Sequence, residues 1–276
     1  YGCTGNVLTA SGVGAVITNI GTVTIGAQVT WNTGFAVDNV LVLTNGASLC
    51  SAGNAVVGTA NANDVIRTSG NKTRIVGGAG VTSLWDCAGS FTVGISLVGA
   101  SNSLTVDGQS LYGSAVLTNM TSLTVSGTGG SITITNGGVV TLSGASVSIG
   151  SDCLVKIVGG GLLSSDHTLY SQVGLVGNDG LLLVSGSNSV LEGRDVTSGQ
   201  GVGHLAIGVG TSRNTARIEN GGMVTNLNVA VGQGAAATGN MLVITNGGKV
   251  YSTSTYESYI GWIQASAPTY VVGNTG

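Results

Sequence analysis

The chain has 276 residues, with 49 Gly, one Pro, 42% hydrophobic residues, only 7% charged residues and a formal net charge of -3. Charge so far below the about 25% of an ordinary soluble domain, joined to so many apolar residues, excludes a disordered chain. Eight Lys and Arg residues without a cluster exclude nucleic acid as a partner, and no apolar run reaches the roughly 18 residues of a membrane-spanning helix.

Taken in chain order, the sequence reads as short strands separated by glycine turns. Asn6-Val-Leu-Thr-Ala-Ser-Gly12 opens the series, and Val40-Leu-Val-Leu-Thr-Asn-Gly46 follows, with Val56-Val-Gly58 after it. Leu104-Thr-Val-Asp-Gly108 and Leu123-Thr-Val125 are weaker copies. Ile132-Thr-Ile-Thr-Asn-Gly-Gly138 is a strong one and is followed by Val147-Ser-Ile-Gly150. Val155-Lys-Ile-Val-Gly-Gly160 and Leu182-Leu-Val-Ser-Gly186 lead to Arg217-Ile-Glu-Asn-Gly-Gly222, then Val229-Ala-Val-Gly232. Leu242-Val-Ile-Thr-Asn-Gly-Gly248 and Tyr259-Ile-Gly261 close the series.

Apolar residues alternate with Thr, Ser or Asn inside each copy, which is the period of a strand with one buried face. The turn glycines Gly46, Gly137, Gly221 and Gly247 supply the positive φ of a sharp corner. One such unit cannot bury its apolar stripe, so the units must stack, each strand pairing in parallel with its equivalent in the next coil. The expectation is all-β: a right-handed parallel β-solenoid with irregular coils of roughly two dozen residues. Like charges stacked about 4.8 Å apart would repel, which accounts for the scarcity of charge. The competing fold is a β-sandwich, disfavoured by the recurring phrase. The whole chain, 1–276, is read as one solenoid: 1–39 as an N-terminal coil and docking region, 40–261 as repeats, and 262–276 as a C-terminal coil and docking region.

The units of the form Leu-x-Val-x-Asn-Gly-Gly-x-Val followed by Val-x-Val/Ile-Gly resemble the β-helical repeats of bacterial exported surface proteins, including autotransporter passenger domains and adhesins. The resemblance covers nearly the whole chain from Val40 onward and implies a secreted or cell-surface protein, not a reaction. The start at Tyr1 in place of Met agrees with removal of a precursor segment.

The four cysteines, Cys3, Cys50, Cys87 and Cys153, are an even set, and an exported chain would close two bridges among them. Their pairing is open, and buried free thiols are the alternative. Neither His167 nor His204 stands at ligand spacing from a Cys, so no metal or cofactor is expected. Asp64, Asp86 and Asp107 fall about one coil apart, but Asp64 and Asp107 flank turn-like Asn or Gly residues, where Asp caps its own backbone. His167 and His204 have no positioned nucleophile, and no enzyme is expected. Asn71-Lys-Thr73 and Asn119-Met-Thr121 match the glycosylation sequon.

Aromatics concentrate near the end: Tyr251, Tyr256, Tyr259, Trp262 and Tyr270 are candidates for an assembly contact or a glycan contact. Both ends of the sequence read as ordinary repeat pieces without a charged cap, so either the chain is cut from a longer protein or one subunit's end caps the beginning of the next, a head-to-tail association. The expected function is therefore a structural subunit of an extracellular or cell-surface filament, its partner another copy of itself, joined through solenoid ends or an exchanged strand. The alternative is an adhesin that binds surface glycans through the C-terminal aromatics.

Overall fold

The computed structural model describes residues 2–27, 35–59, 68–95, 101–109, 113–165, 170–174, 177–193, 203–252 and 258–262. They form a parallel β-solenoid without a helix among them. Its first face is a nine-stranded sheet whose spatial order is the chain order, from Val7–Ser11 through Val40–Thr44, Lys72–Val76, Ser103–Asp107, Ser131–Thr135, Leu154–Val158, Leu181–Ser185 and Thr215–Glu219 to Met241–Ile244. Each of these strands opens one coil, so the described residues hold nine coils.

The second and third faces share one sixteen-stranded sheet. In the fourth and fifth coils single strands of 11 residues, Ala115–Val125 and Val139–Ile149, run through both faces. Their pairing shifts register around Met120, beside Asn119 in the left-handed region at φ 65. At the N-terminal end Gly2–Thr4, Phe35–Val37 and Thr68–Ser69 add a short fourth side.

Coil length varies more than a repeat of two dozen suggests. The first-face register advances by 33 residues from Val7 to Val40, by 23 from Ser131 to Leu154, and by 34 from Leu181 to Thr215. Register on the faces is nevertheless kept. Leu43, Ile75, Val106, Ile134, Ile157, Val184 and Ile218 form one inward row on the first face, each against its equivalent, and all are fully buried. The widest side chains sit in the third coil, where Trp85 and Phe91 meet edge to face at 5.1 Å and the Trp85 indole donates to Ser51 Oγ at 3.0 Å. The cysteines do not pair. All four are free thiols, because Cys87 and Cys153 are buried at separate places in the core and Cys3 and Cys50 are exposed at others.

The corner between the first and second faces explains the Asn-Gly-Gly phrase. Asn45 and Gly46, Asn136 and Gly137, Asn220 and Gly221, and Asn246 and Gly247 all have φ between 47 and 87. Two successive left-handed residues closed by an i to i+3 hydrogen bond, such as Gly138 N–H to Thr135 O at 2.9 Å, make a type I′ turn. The second glycine has a different cause: a Cβ at Gly138, Gly222 or Gly248 would overlap the Val106, Val184 or Ile218 carbonyl in the preceding coil.

The corner before the first face carries a row of asparagines. Asn6, Asn39, Asn71 and Asn102 stand immediately before four successive first-face strands, and Asn214 and Asn240 before the last two. Where the next slot also holds an asparagine, the amide donates forward to it. Asn6 Nδ2 gives a hydrogen bond to Asn39 Oδ1 at 2.9 Å, Asn39 Nδ2 to Asn71 Oδ1 at 3.0 Å, Asn71 Nδ2 to Asn102 Oδ1 at 3.0 Å, and Asn214 Nδ2 to Asn240 Oδ1 at 3.0 Å. The backbone N–H of the donor residue reaches the same oxygen in every case. A spare amide hydrogen ties the row to the chain behind it, from Asn71 to the Ala36 carbonyl and from Asn102 to the Thr68 carbonyl. Gly130, Cys153 and Gly180 occupy the slot in the middle coils.

This row dictates the Val-Gly ending of the third face. A Cβ at Gly26, Gly58, Gly174 or Gly208 would overlap the side chain of Asn71, Asn102, Asn214 or Asn240. Two glycines separate the steric requirement from the backbone one. Gly210 has φ 64 with open space around it, so Gly210→Ala should cost about 1–2 kcal/mol from φ alone. Gly58, at φ 76 against Asn102, should cost at least about 3 kcal/mol as Ala, because the buried ladder must also give way. Denaturant midpoints of the two variants check the difference. Asn71→Leu, which strands the Asn39 donors and the Ala36 carbonyl, should lose about 3 kcal/mol in equilibrium unfolding.

Candidate functional site: the two ends of the coil

Within the column every first-face strand has a partner on each side, but the terminal strands are paired on one edge only among the described residues. Val7–Ser11 pairs with Val40–Thr44 alone, and Met241–Ile244 with Thr215–Glu219 alone. The inward rows therefore run out into open space. Leu8 is 56% exposed where its stacking partner Leu41 is 2% exposed. At the other end Ile244 is 49% exposed above a fully buried Ile218, and Ile260 is 63% exposed above Val231 at 1%.

The N-terminal end is concave. A cavity of about 410 Å³ opens there, lined by Leu8, Ile17, Val23, Ile25, Leu41 and Leu49 of the first two coils. Cys3 and Asn6 stand in its lining. Charge is nearly absent: Asp38 is the sole charged side chain from Tyr1 to Ala62.

Exposed large apolar side chains follow the same distribution. Val7, Leu8, Val13, Val16 and Phe35 belong to the N-terminal end, and Met241, Ile244, Tyr251 and Ile260 to the last coil. Ile95 alone among the described residues is a large exposed apolar side chain between them. Solvent-exposed apolar groups scattered singly are ordinary, whereas those of the described residues concentrate in two sets at opposite ends.

Of the candidate aromatics, Tyr251 and Tyr259 lie on different faces. Tyr251 lies on the second face, opposite Thr225, and is half exposed. Tyr259 lies on the third face, opposite Ala230. The backbone of Trp262 ends that strand opposite Gln233. Tyr256 and Tyr270 lie outside the described residues.

The acids serve turns and ladders. Asp107 Oδ1 accepts from the Gln109 backbone N–H at 2.9 Å and from Asn136 Nδ2 at 3.1 Å, and Asp86 accepts from Asn119 Nδ2 at 2.7 Å. Asp64 and His167 lie outside the described residues. Burial lowers the pKa of His204, favouring its neutral form. Among the described residues no group of three or more His, Cys, Asp or Glu side chains is gathered as metal ligands. Of the two sequons, Asn71 is fully buried in the ladder and out of reach of modification, while Asn119 is exposed.

The thiols divide by position. Cys3 is at the N-terminal opening, and Cys50 is exposed on the second face with its sulfur 3.8 Å from Asp86 Oδ2. Burial pushes the Cys87 thiol up and takes Cys153 to about 11. Cys153 occupies the ladder slot and directs its thiol at the Gly127 carbonyl, 3.0 Å away.

No protein-family model matches the sequence, and no curated protein matches it either. Among solved structures, the TibC-catalysed hyper-glycosylated fragment of TibA aligns with the whole chain and with 99% of its own length, at 13% identity and a TM-score of 0.33.

The ladder asparagines are the residues at this site that reading the sequence missed. Their only signal is an Asn standing just before six of the nine first-face strands, at intervals set by the coil and not by the Asn-Gly turn. The thiol assignment has a direct check. In dilute native protein at pH 8 an alkylating reagent should modify Cys3 and Cys50 alone, with Cys87 and Cys153 reacting only after denaturation, as read by peptide mass spectrometry.

Proposed function

We propose that the protein is a structural subunit that joins copies of itself head to tail, one solenoid stacked coaxially on the next, to build an extended fibre. The observation that carries this reading is the confinement, among the described residues, of nine of the ten exposed large apolar side chains to the two end coils. The two surfaces are of the kind that already pair inside the molecule. Eight times along the first face the trailing edge of one coil accepts the leading edge of the next, with parallel backbone hydrogen bonds and apolar side chains in register. A second copy offers the N-terminal cavity the same type of partner, and the near absence of charge at that end removes the repulsion that would oppose contact. A head-to-tail contact that does not close on itself continues indefinitely. A cell-surface or extracellular setting belongs to the same proposal and rests on the likeness of the repeat to those of exported bacterial surface proteins. In this role the protein catalyses nothing.

Nine coils at about 4.8 Å each set an axial repeat of roughly 43 Å, which electron micrographs of the fibre should display beside the strand spacing itself. The natural thiols report the joint in solution. As concentration rises, alkylation of Cys3 at the N-terminal opening should slow at least tenfold while that of Cys50 on the flank keeps its rate. A particle that remains monomeric by light scattering at high concentration, with both thiols equally reactive throughout, would overturn the proposal.

A further inference from the structure

The pair Asn-Gly occurs four times in the sequence, at Asn45, Asn136, Asn220 and Asn246, and each copy forms the same corner with both residues left-handed. The closing bond is also the same. Ala47 N–H reaches the Thr44 carbonyl at 3.2 Å, and Gly138, Gly222 and Gly248 N–H reach the Thr135, Glu219 and Thr245 carbonyls at 2.9 Å. With local geometry equal, the copies differ in what the neighbouring coils do to them. Gly46 N–H donates to Ser83 Oγ of the next coil at 3.1 Å, and Gly137 N–H to the Gly159 carbonyl at 3.1 Å. Gly221 N–H faces the last coil, where a Cβ at Gly247 would stand 4.0 Å from it. The side-chain amides of these three copies are held as well, Asn45 by Ser11 Oγ, Asn136 by Asp107 Oδ1 and Asn220 by Ser185 Oγ. Asn246 and Gly247 are both exposed. Among the described residues no coil follows them, and neither Asn246 Nδ2 nor Gly247 N–H makes a hydrogen bond.

We infer that Asn246 is a self-modification site: the backbone nitrogen of Gly247 converts its side chain to aspartate or isoaspartate, while the following coil keeps the other Asn-Gly corners intact. An asparagine before glycine carries its own nucleophile, because no Cβ shields the next nitrogen. Gly247 N gives its proton to solvent and attacks Asn246 Cγ. The N–Cγ bond forms, the Cγ–Nδ2 bond breaks, and Nδ2 takes up a proton and leaves as ammonia, so that a cyclic succinimide remains. Water then opens the ring at either carbonyl, giving aspartate or isoaspartate. Only water is consumed. Attack requires the corner to open locally, and an N–H that already donates to the next coil is pinned against that opening. Gly137 is buried and Gly247 exposed, which sets the slow and fast ends of the ranking, with Asn45 and Asn220 between them.

Either product alters the end of the column. Aspartate adds a negative charge near the exposed Ile244, and isoaspartate lengthens the backbone where Lys249–Tyr251 must stay in register with Met223–Thr225. Under the self-assembly reading, on which this consequence alone rests, the first coil of a second copy supplies the missing cover. Joined ends keep Asn246, and free ends lose it.

The experiment incubates the full chain in mildly alkaline buffer made with heavy-oxygen water and reads each Asn-Gly peptide by mass spectrometry. In the dilute monomer Asn246 should convert at least about tenfold faster than Asn136, and in denaturant the four sites should converge to within about twofold. Equal native rates at all four sites, or Asn136 converting as fast as Asn246, would overturn the site. In concentrated, assembled protein conversion at Asn246 should fall at least about fivefold while that at Asn45 keeps its rate. Fibres in which Asn246 ages as fast as in the monomer would overturn protection at the joint. No association at any concentration would instead overturn the assembly reading, and the monomer ranking would still decide the site.

Discussion

A side chain on this column has, as its nearest neighbour along the axis, the side chain at the same place in the next coil, about 4.8 Å away. That constraint governs the rest of the molecule. A charge would meet its own kind at that distance, so the faces are built from Val, Leu, Ile, Thr and Ser, and charged residues make up only 7% of the chain. Among the described residues, Arg213 grips Asp179 at a corner across one coil and Arg217 holds Glu219 two residues away along one strand. Asparagine is the exception among polar residues at a buried stacking position. Its amide offers a donor and an acceptor on opposite sides, so identical copies satisfy one another where identical carboxylates or ammonium groups would not.

The same constraint converts local geometry into long-range order. A glycine at the end of a third-face strand is needed because an asparagine of another coil fills the space its side chain would take, and the second glycine of the turn is needed because a carbonyl of the preceding coil does. Neither requirement is local to the turn. Backbone, corner and core are specified together, which is why substitutions at Gly58 and Asn71 act on the same buried amide row from its two sides.

Much of this was legible in the sequence and some was not, for physical reasons. Asn-Gly is visible because both residues act within one turn, and the alternation in Ile132-Thr-Ile134 is visible because one strand has one buried face. Coil length was legible only as irregular units of roughly two dozen residues, since extra residues between faces leave no mark on the face register. The ladder was hidden because Asn6, Asn39, Asn71 and Asn102 follow left-handed residues of different kinds, Gly5, Asp38, Gly70 and Ser101, and because Gly130, Cys153 and Gly180 interrupt it. The cysteines misled for a related reason: an even count and an exported look suggest bridges, but Cys153 sits in a ladder position and Cys87 in the core, each with its thiol against a carbonyl of the preceding coil. At the C-terminal end, Tyr251 and Tyr259 are neighbours in sequence but occupy different faces, because the corner between them falls inside that stretch.

The unequal coils carry a consequence for how such a chain can change. Eleven residues separate the shortest step of the first face from the longest, yet the inward rows pass both without a break. The column thus behaves as a mast whose cross-section is fixed while its rigging is free: lengthening a connection adds only a slowly growing closure entropy and leaves the packed interior alone. New binding chemistry can be hung on a connection without altering the shaft that displays it, so the scaffold and whatever it comes to recognise are able to evolve separately.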